Sequence, residues 1–194
     1  MTRDEVLDIF RSQDAILEGH FVLSSGLHSG TFLQKALVYR SPEKTERLCR
    51  ALAETIRASS LGPIDAIVAP AMGGIVPGYE TARQLGVPYM WVERENGVFR
   101  LRRGFSVSPG ERVLIVEDII STGLSAREAG DALREAGADV IGCACLIDRS
   151  AGEADLGMPV IALADYKVPA YAPDALPPEL AALPAIKPGS RGLS

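Results

Sequence analysis

A short apolar run that ends in two acids constrains the fold of this chain more than any other stretch. Residues 113–116 read VLIV, a β-branched pattern typical of a strand that is buried on both faces of a parallel sheet. Glu117 and Asp118 follow at once, and a Ser-Thr-Gly turn then leads into a predicted helix. The run therefore predicts an acidic pair and a helix N-terminus at the carboxyl end of one buried strand.

Ligand binding is the chemistry that this arrangement indicates. Open α/β sheets bind ligands outside the carboxyl ends of their strands. Free N–H groups in a first helical turn favour a phosphate. Carboxylates beside a phosphate repel it unless they hold hydroxyl groups, a metal or a developing positive charge. The combination suggests a phosphorylated sugar, and the simpler alternative is a solvated strand end.

The rest of the chain alternates predicted strands with predicted helices. Ser41 and Pro42 begin an amphipathic helix over 42–58. Further apolar runs predict strands at 64–69, 87–92, 138–147 and 158–164. This alternation predicts an α/β fold with a mostly parallel central sheet flanked by helices. We expect a single domain over 1–194, with a small N-terminal hood at 15–40 and an irregular C-terminal tail with one short helix at 168–194.

Charge and composition exclude several classes of function. The net charge of -5 argues against a general nucleic-acid binder. No apolar run has the length of a membrane span, and the N-terminus MTRDEVLDIF mixes charges with apolar residues, unlike a signal peptide. We therefore expect a cytoplasmic protein without a membrane partner. His20 and His28 lack a third ligand at suitable spacing, which favours structural roles for both.

The sequence VLIVEDIISTGLS at 113–125 resembles the 5-phosphoribosyl-1-pyrophosphate (PRPP) motif of the type I phosphoribosyltransferases. The resemblance implies that Glu117 and Asp118 are catalytic: they hydrogen-bond the ribose hydroxyls of PRPP and stabilise the positive charge that develops at the anomeric carbon. It also implies that the residues after the acids bind PRPP, with the loop cradling the 5-phosphate: Ile119, Ile120, Ser121, Thr122, Gly123, Leu124 and Ser125.

A second glycine-rich turn, PAMGG at 70–74, lies between a predicted strand and a predicted helix. Glycines let the backbone approach a ligand and leave amides free, although an ordinary tight turn has the same pattern. The resemblance makes this turn the pyrophosphate loop, with PRPP contacts from Ala71, Met72, Gly73 and Gly74. Relatives specific for orotate often carry a lysine in this loop. This chain has Gly73 there, so its contacts with pyrophosphate must come from the backbone.

Several arginines lie in 94–110, a segment with glycines, a proline and little periodic pattern. A basic run alone is usually a solvated surface. A leaving pyrophosphate needs cations, however, and a closing loop supplies them while it excludes water. In orotate phosphoribosyltransferases the corresponding segment is a mobile catalytic loop that reaches the neighbouring subunit's site, so the resemblance implies a homodimer. Arg94 matches a catalytic arginine of that loop. The usual lysines and histidine are absent, and the candidate surrogates are Arg100, Arg102 and Arg103.

Two features favour orotate as the base. Arg149 follows a predicted strand next to the motif, and arginine binds a carboxylate through two parallel hydrogen bonds. Taken alone, it is equally well a surface arginine. The segment GHFVLSSGLHSGTF resembles the hood of orotate phosphoribosyltransferases. This resemblance implies that Phe32 stacks on the base and that Ser121 contacts it. Many relatives place a PRPP-binding lysine where this chain has Ser24.

The resemblance implies a complete reaction. Orotate and PRPP would give orotidine 5'-phosphate and pyrophosphate, a step of pyrimidine (UMP) synthesis. The implied cofactor is Mg²⁺, held mainly by PRPP oxygens and not by protein ligands. Two alternatives stay open. One is a phosphoribosyltransferase for another base, which would leave Arg149 without a role. The other is a non-catalytic PRPP-sensing regulator, which would need a further nucleic-acid-binding domain or a broad basic surface.

Overall fold

Residues 1–23 and 25–188 are described by a computed structural model. Ser24, where many relatives place a lysine, lies outside the described residues, as does the end of the predicted tail at 189–194. The described residues form a six-stranded central sheet, a three-stranded smaller sheet and flanking helices. The predicted α/β fold with a mostly parallel central sheet is confirmed.

The central sheet contains β3 (Ala66–Pro70), β4 (Tyr89–Glu95), β5 (Val98–Leu101), β6 (Arg112–Ile120), β7 (Asp139–Asp148) and β8 (Val160–Asp165). Their order is β5-β4-β3-β6-β7-β8, and only the β4–β5 pair is antiparallel. From β3, the chain adds β4 on one side and then β6 on the other. The carboxyl ends of β3 and β6 therefore flank the switch point, where open α/β sheets form their ligand crevice.

Helices cover both faces of this sheet. The first face carries α1 (Arg3–Arg11), α2 (Pro42–Arg57) and α3 (Ile75–Leu85), and the second carries α4 (Leu124–Glu135). Ser41 caps α2 by accepting a hydrogen bond from the Lys44 N–H, as expected from its place before Pro42. No helix in the described ranges is long and apolar enough to cross a membrane.

The β6 strand is buried on both faces, as its apolar run predicts. Leu114 and Val116 belong to the core cluster that includes residues of α1, α2 and α3, whereas Val113 and Ile115 belong to the cluster that includes residues of α4. All four side chains are fully buried, and each contributes about 1.5–3 kcal/mol of hydrophobic stabilisation. This double-sided packing fixes the strand that carries Glu117 and Asp118 at its end.

The hood pairs β1 (Ile16–Val22) with β2 (His28–Leu33) in an antiparallel sheet. The tail holds α5 (Pro178–Ala181) and β9 (Ala185–Ile186), and β9 joins the hood sheet beside β1. His20 links these parts, because its Nδ1 lies 3.0 Å from the Leu183 carbonyl oxygen and its Nε2 lies 2.6 Å from His28 Nδ1. Both histidines therefore hold the tail against the hood, and the expectation of an irregular tail misses β9.

The arginine-bearing segment begins as a hairpin. Asn96 and Gly97 connect β4 to β5 with φ values of 51° and 85°, the backbone that a two-residue hairpin turn requires. The first part of the loop expected over 94–110 is therefore regular strand, since Asn-Gly is a strong hairpin signal. The movement of this segment stays a prediction.

Candidate active site

The acidic pair at the end of β6 is buried. Glu117 is 8% exposed and Asp118 is 1% exposed. Burial and the neighbouring charge of Asp118 raise the pKa of Glu117 to about 8, and Lys35 opposes this shift. Asp118 Oδ1 accepts hydrogen bonds from Lys35 Nζ at 2.8 Å and from the Ile119 N–H at 2.6 Å. Asp118 Oδ2 is buried without a hydrogen-bond partner among the described residues. The pair therefore has acceptor capacity available for a ligand.

The loop after the acids lines a cavity of about 410 Å³, a volume that suits a small ligand. Gly123, the N-cap of α4, has a φ of 74°, and a Cβ there would lie 2.5 Å from Leu156 Cδ1. Glycine is therefore required. The start of α4 also borders the cavity, which brings the N-terminal end of a helix dipole to it. The lining includes all seven residues predicted to follow the acids: Ile119, Ile120, Ser121, Thr122, Gly123, Leu124 and Ser125.

The predicted pyrophosphate loop packs directly against the acidic pair. A Cβ on Gly73 would lie 2.2 Å from Asp118 Oδ2, and a Cβ on Gly74 would lie 2.9 Å from the Val116 carbonyl oxygen. Gly74 therefore requires glycine, because backbone oxygens lie too close for a side chain, whereas a side chain at 73 would have to displace the Asp118 carboxylate. The structure therefore brings the glycine loop against the acidic pair, although 43 positions separate Gly74 from Glu117 in the sequence. Their ligand contacts stay predictions.

Ala71 and Met72 also border a second cavity, of about 660 Å³, whose wall includes Trp91, Glu93, Arg94 and Arg103. The predicted pyrophosphate loop and the arginine-bearing hairpin therefore share one recess. This arrangement agrees with a leaving pyrophosphate that meets the hairpin arginines.

Arg94 is held away from the acidic pair. Its guanidinium donates hydrogen bonds to the Gly97 carbonyl oxygen at 2.7 Å and to the Glu128 carboxylate on α4. It also lies 4.1 Å from the centre of the Phe99 ring. Its catalytic role stays a prediction, and it requires the hairpin to move or to act on another subunit.

The other arginines of this segment are paired with neighbouring acids. Arg100 and Arg102 lie 3.8 Å and 3.4 Å from Glu95 carboxylate oxygens. Arg103 donates to Glu93, with one contact at 3.1 Å. Solvent screens exposed ion pairs such as these, so their release to an anionic ligand costs little. Their roles as surrogates for the absent lysines stay predictions.

Arg149 lies at the same edge of the sheet, where β7 ends beside β6. Its N–H donates to the Ile120 carbonyl oxygen at 2.8 Å. Its Nε is buried without a hydrogen-bond partner in the ranges 1–23 and 25–188, and burial lowers its pKa. A ligand carboxylate would satisfy this donor. The assignment of Arg149 to orotate stays a prediction.

Asp148 fixes the turn that carries Arg149. It is 3% exposed, and its Oδ1 accepts hydrogen bonds from the Ser150 N–H and hydroxyl, both at 2.7 Å. Its Oδ2 accepts from the Gly152 N–H at 2.9 Å. Sequence reasoning misses this residue, although an acid directly before a Ser-containing turn is a signal for such hydrogen bonds. It also misses Lys35, for which no local pattern gives a signal.

Phe32 occupies a different position from the other predicted site residues. It lies on β2, partly exposed, with its ring centre 5.7 Å from that of Phe21. Among the described residues it lines neither the 410 Å³ cavity nor the 660 Å³ recess. Its stacking on a base stays a prediction.

The chain is similar in sequence to a described protein family and to named full-length relatives. The family model described as phosphoribosyl transferase domain matches residues 39–167. Orotate phosphoribosyltransferase 2 of Mesorhizobium japonicum is 64% identical over 193 residues, and orotate phosphoribosyltransferase of Brucella ovis is 62% identical over 193 residues; both matches cover 100% of each chain. The chain therefore belongs to the orotate phosphoribosyltransferase family.

Solved structures agree in fold. The orotate phosphoribosyltransferase from Aeropyrum pernix superimposes with a TM-score of 0.69 at 25% identity, covering 82% of this chain and 93% of that one. The UMP synthase of Leishmania donovani gives a TM-score of 0.72 at 23% identity, covering 85% of this chain and 36% of that chain. The second comparison supports the fold alone.

Proposed function

We propose that this chain transfers the 5-phosphoribosyl group of PRPP to orotate, giving orotidine 5'-phosphate and pyrophosphate in pyrimidine synthesis. The observation that carries the proposal is the buried pair Glu117 and Asp118. It lies between the loop at 121–125, which leads into α4, and the glycine loop at 71–74. Close relatives named orotate phosphoribosyltransferase support the same activity.

The acids act on the ribose ring. The carboxylates of Asp118 and Glu117 accept hydrogen bonds from the ribose hydroxyls, which anchors the sugar between the two loops. As the bond to pyrophosphate breaks, positive charge develops at the anomeric carbon and ring oxygen, and the buried carboxylates stabilise it. No covalent nucleophile is required. The leaving group moves towards Ala71, Met72 and the recess that contains Arg103.

The base is held at the neighbouring strand end. Arg149 donates to the carboxylate of orotate and Ser121 contacts the ring, while Phe32 covers the base if the hood closes on it. The buried Nε of Arg149 supports this assignment, because a desolvated guanidinium gains most from a charged partner.

Mg²⁺ fits this site as an ion that arrives with PRPP. No group of three or more His, Cys, Asp and Glu side chains that could hold a metal occurs in the part of the chain that is described. The unpartnered Asp118 Oδ2 can accept a hydrogen bond from a water molecule of the hydrated ion. The ion would neutralise the charge of the leaving pyrophosphate.

Measuring orotate consumption tests the proposed reaction. Purified protein with PRPP and Mg²⁺ is expected to consume orotate and to leave adenine, hypoxanthine, guanine and uracil unchanged in parallel assays. Turnover of another base instead would keep the PRPP site and overturn the role of Arg149. Binding of PRPP without turnover of any base would favour the regulator.

A homodimer is part of the proposal, with segment 94–110 reaching the neighbouring site. Met72, just before α3, and Val76 and Tyr79, on α3, are 80%, 42% and 59% exposed, and Met72 also lines the recess of the hairpin arginines. Exposed apolar side chains close together in sequence are available for contact with a second copy. Contact between two copies here would bring each hairpin towards the other subunit. A cytoplasmic location is also proposed, and the free thiols of Cys49, Cys143 and Cys145 agree with a reducing compartment.

Light scattering is expected to give twice the chain mass of 20.6 kDa for the protein. Tyr79→Glu places a charge in the proposed contact and is expected to give single chains with reduced turnover. Val160→Glu is the matched control, because Val160 is 38% exposed and lies on β8 at the opposite edge of the sheet. Single chains of the unmodified protein with full turnover would contradict the dimer.

A further inference from the structure

The 3-10 helix Lys35–Arg40, which links the hood to α2, brings Lys35 against the acidic pair. Lys35 Nζ lies 2.8 Å from Asp118 Oδ1, and the lysine side chain is 41% exposed while that of Asp118 is 1% exposed. The hydroxyl of Tyr39, one helical turn later, is buried without a partner among the described residues. Burial raises the pKa of Tyr39, and so do Asp118 and Glu117 nearby. Through Lys35, this helix contributes to the lining of the 410 Å³ cavity.

Lys35 is the cation of the 410 Å³ cavity. The lining residues are Lys35, Glu117 and 119–126, and among these described residues Lys35 alone carries a positive charge. A phosphorylated sugar that enters this cavity meets the buried acidic pair, whose remaining negative charge repels its phosphate. A helix N-terminus offsets only part of that repulsion, because its dipole amounts to about half a charge. The ammonium of Lys35 adds the positive charge that the other lining residues lack.

The close approach of Gly73 explains why the cation comes from this helix. A Cβ at Gly73 would lie 2.2 Å from Asp118 Oδ2, so the carboxylate occupies the space that a side chain at 73 would need. A lysine in the pyrophosphate loop is therefore incompatible with this position of Asp118. Lys35 reaches the same carboxylate from the 3-10 helix.

We propose that Lys35 is a PRPP-binding residue that exchanges partners. In the free enzyme it neutralises Asp118. When the ribose hydroxyls occupy Asp118, the ammonium turns to an oxygen of the phosphate cradled by 121–125. An ammonium has three donors, of which Asp118 takes one, so the exchange can pass through a state that contacts both groups. This inference rests on the proposed function, because it takes PRPP as the ligand.

The test compares Lys35→Met, Lys35→Arg and Lys44→Met. Lys44 is the matched control, since its Nζ donates to Ser12 Oγ at 2.9 Å on another part of the surface. Because Lys35→Met removes a charged hydrogen bond to PRPP, it is expected to raise the KM for PRPP by roughly tenfold or more. The Kd of PRPP, measured by calorimetry in the absence of orotate, is expected to rise by a similar factor. The KM for orotate is expected to change less than about twofold. Lys35→Arg is expected to recover part of the affinity, and Lys44→Met to match the unmodified protein.

The binding measurement separates this inference from the proposed reaction. Loss of PRPP affinity in Lys35→Met without orotate turnover by the unmodified protein would support Lys35 and reject the reaction. If the unmodified protein turns over orotate and Lys35→Met binds PRPP within twofold of it, the proposed role of Lys35 is wrong and the proposed reaction stands. A lower kcat at unchanged PRPP affinity would make Lys35 a support for Asp118 and overturn the inference. If the unmodified protein does not bind PRPP, both proposals fail. Lys35→Gln replaces Lys35→Met in these comparisons if the methionine variant is unfolded at the assay temperature.

Discussion

Replacing Glu117 by Gln together with Asp118 by Asn is expected to lower turnover by roughly 100-fold or more. The amides keep the size of the side chains but remove the negative charge beside the anomeric carbon. They also replace one carboxylate oxygen in each pair of acceptors by a donor. The measurement is kcat for orotidine 5'-phosphate formation at saturating PRPP and orotate, because the acids stabilise charge that develops only in the transition state.

The same variant is expected to change how stability depends on pH. Glu117 has a folded pKa of about 8, raised from 4.5 by burial and by Asp118. The folded state therefore keeps a proton that the unfolded chain loses. This contribution is fully present below the unfolded pKa and is lost as pH rises through about 8. Denaturant titrations between pH 5 and pH 9 should show this loss, at most about 1.4 kcal/mol per pH unit, in the unmodified protein only.

A matched pair of surface changes controls for the loss of two charges. Asp131→Asn with Glu135→Gln lies on the exposed side of α4 and is expected to leave turnover unchanged. If the double variant of Glu117 and Asp118 instead loses folding in parallel with turnover, the pair is structural. Burial of two acids beside one lysine argues for the opposite outcome, since the amides relieve an unfavourable desolvation of charge.

The parts of the fold that sequence predicts are those fixed by local patterns. The apolar run at 113–116 gives the buried strand, and the Ser41-Pro42 start gives α2. Both follow from periodicity and capping, which need no knowledge of distant residues. Strand alternation then places Glu117 and Gly73 at the same sheet edge, because parallel strands end together.

The parts that sequence misses depend on contacts between distant segments. The short strand β9 exists because the tail reaches β1, and two residues give no periodic pattern. Lys35 is 83 positions from Asp118, and nothing in its neighbourhood indicates the pairing. Arg94 shows the reverse case, since its place in the chain suggests the active site while Glu128 holds it on α4. The position of a residue in the sequence therefore does not determine which distant group a long side chain contacts.

Arg149→Met is expected to raise the KM for orotate by roughly 10-fold to 100-fold with little change in the Kd of PRPP. Methionine keeps much of the apolar length of the side chain and removes the two parallel donors that a carboxylate requires. The KM for orotate of Arg149→Lys is expected to lie between those of the unmodified protein and Arg149→Met, because a single ammonium cannot reproduce the planar fork of donors. Steady-state kinetics with varied orotate at saturating PRPP measures both variants.

The cause of that loss can be located by changing the ligand and the arginine separately. Uracil lacks the carboxylate, so any residual reaction with uracil should be insensitive to Arg149→Met, whereas the reaction with orotate is not. Arg127→Met is the control, since Arg127 is exposed and donates to the Asp155 carbonyl oxygen at 3.0 Å. Unchanged orotate kinetics in Arg149→Met would assign this buried guanidinium to the packing of the β7 end. An equal loss for both bases would point to a displaced turn, because Asp148 and its hydrogen bonds hold the same segment.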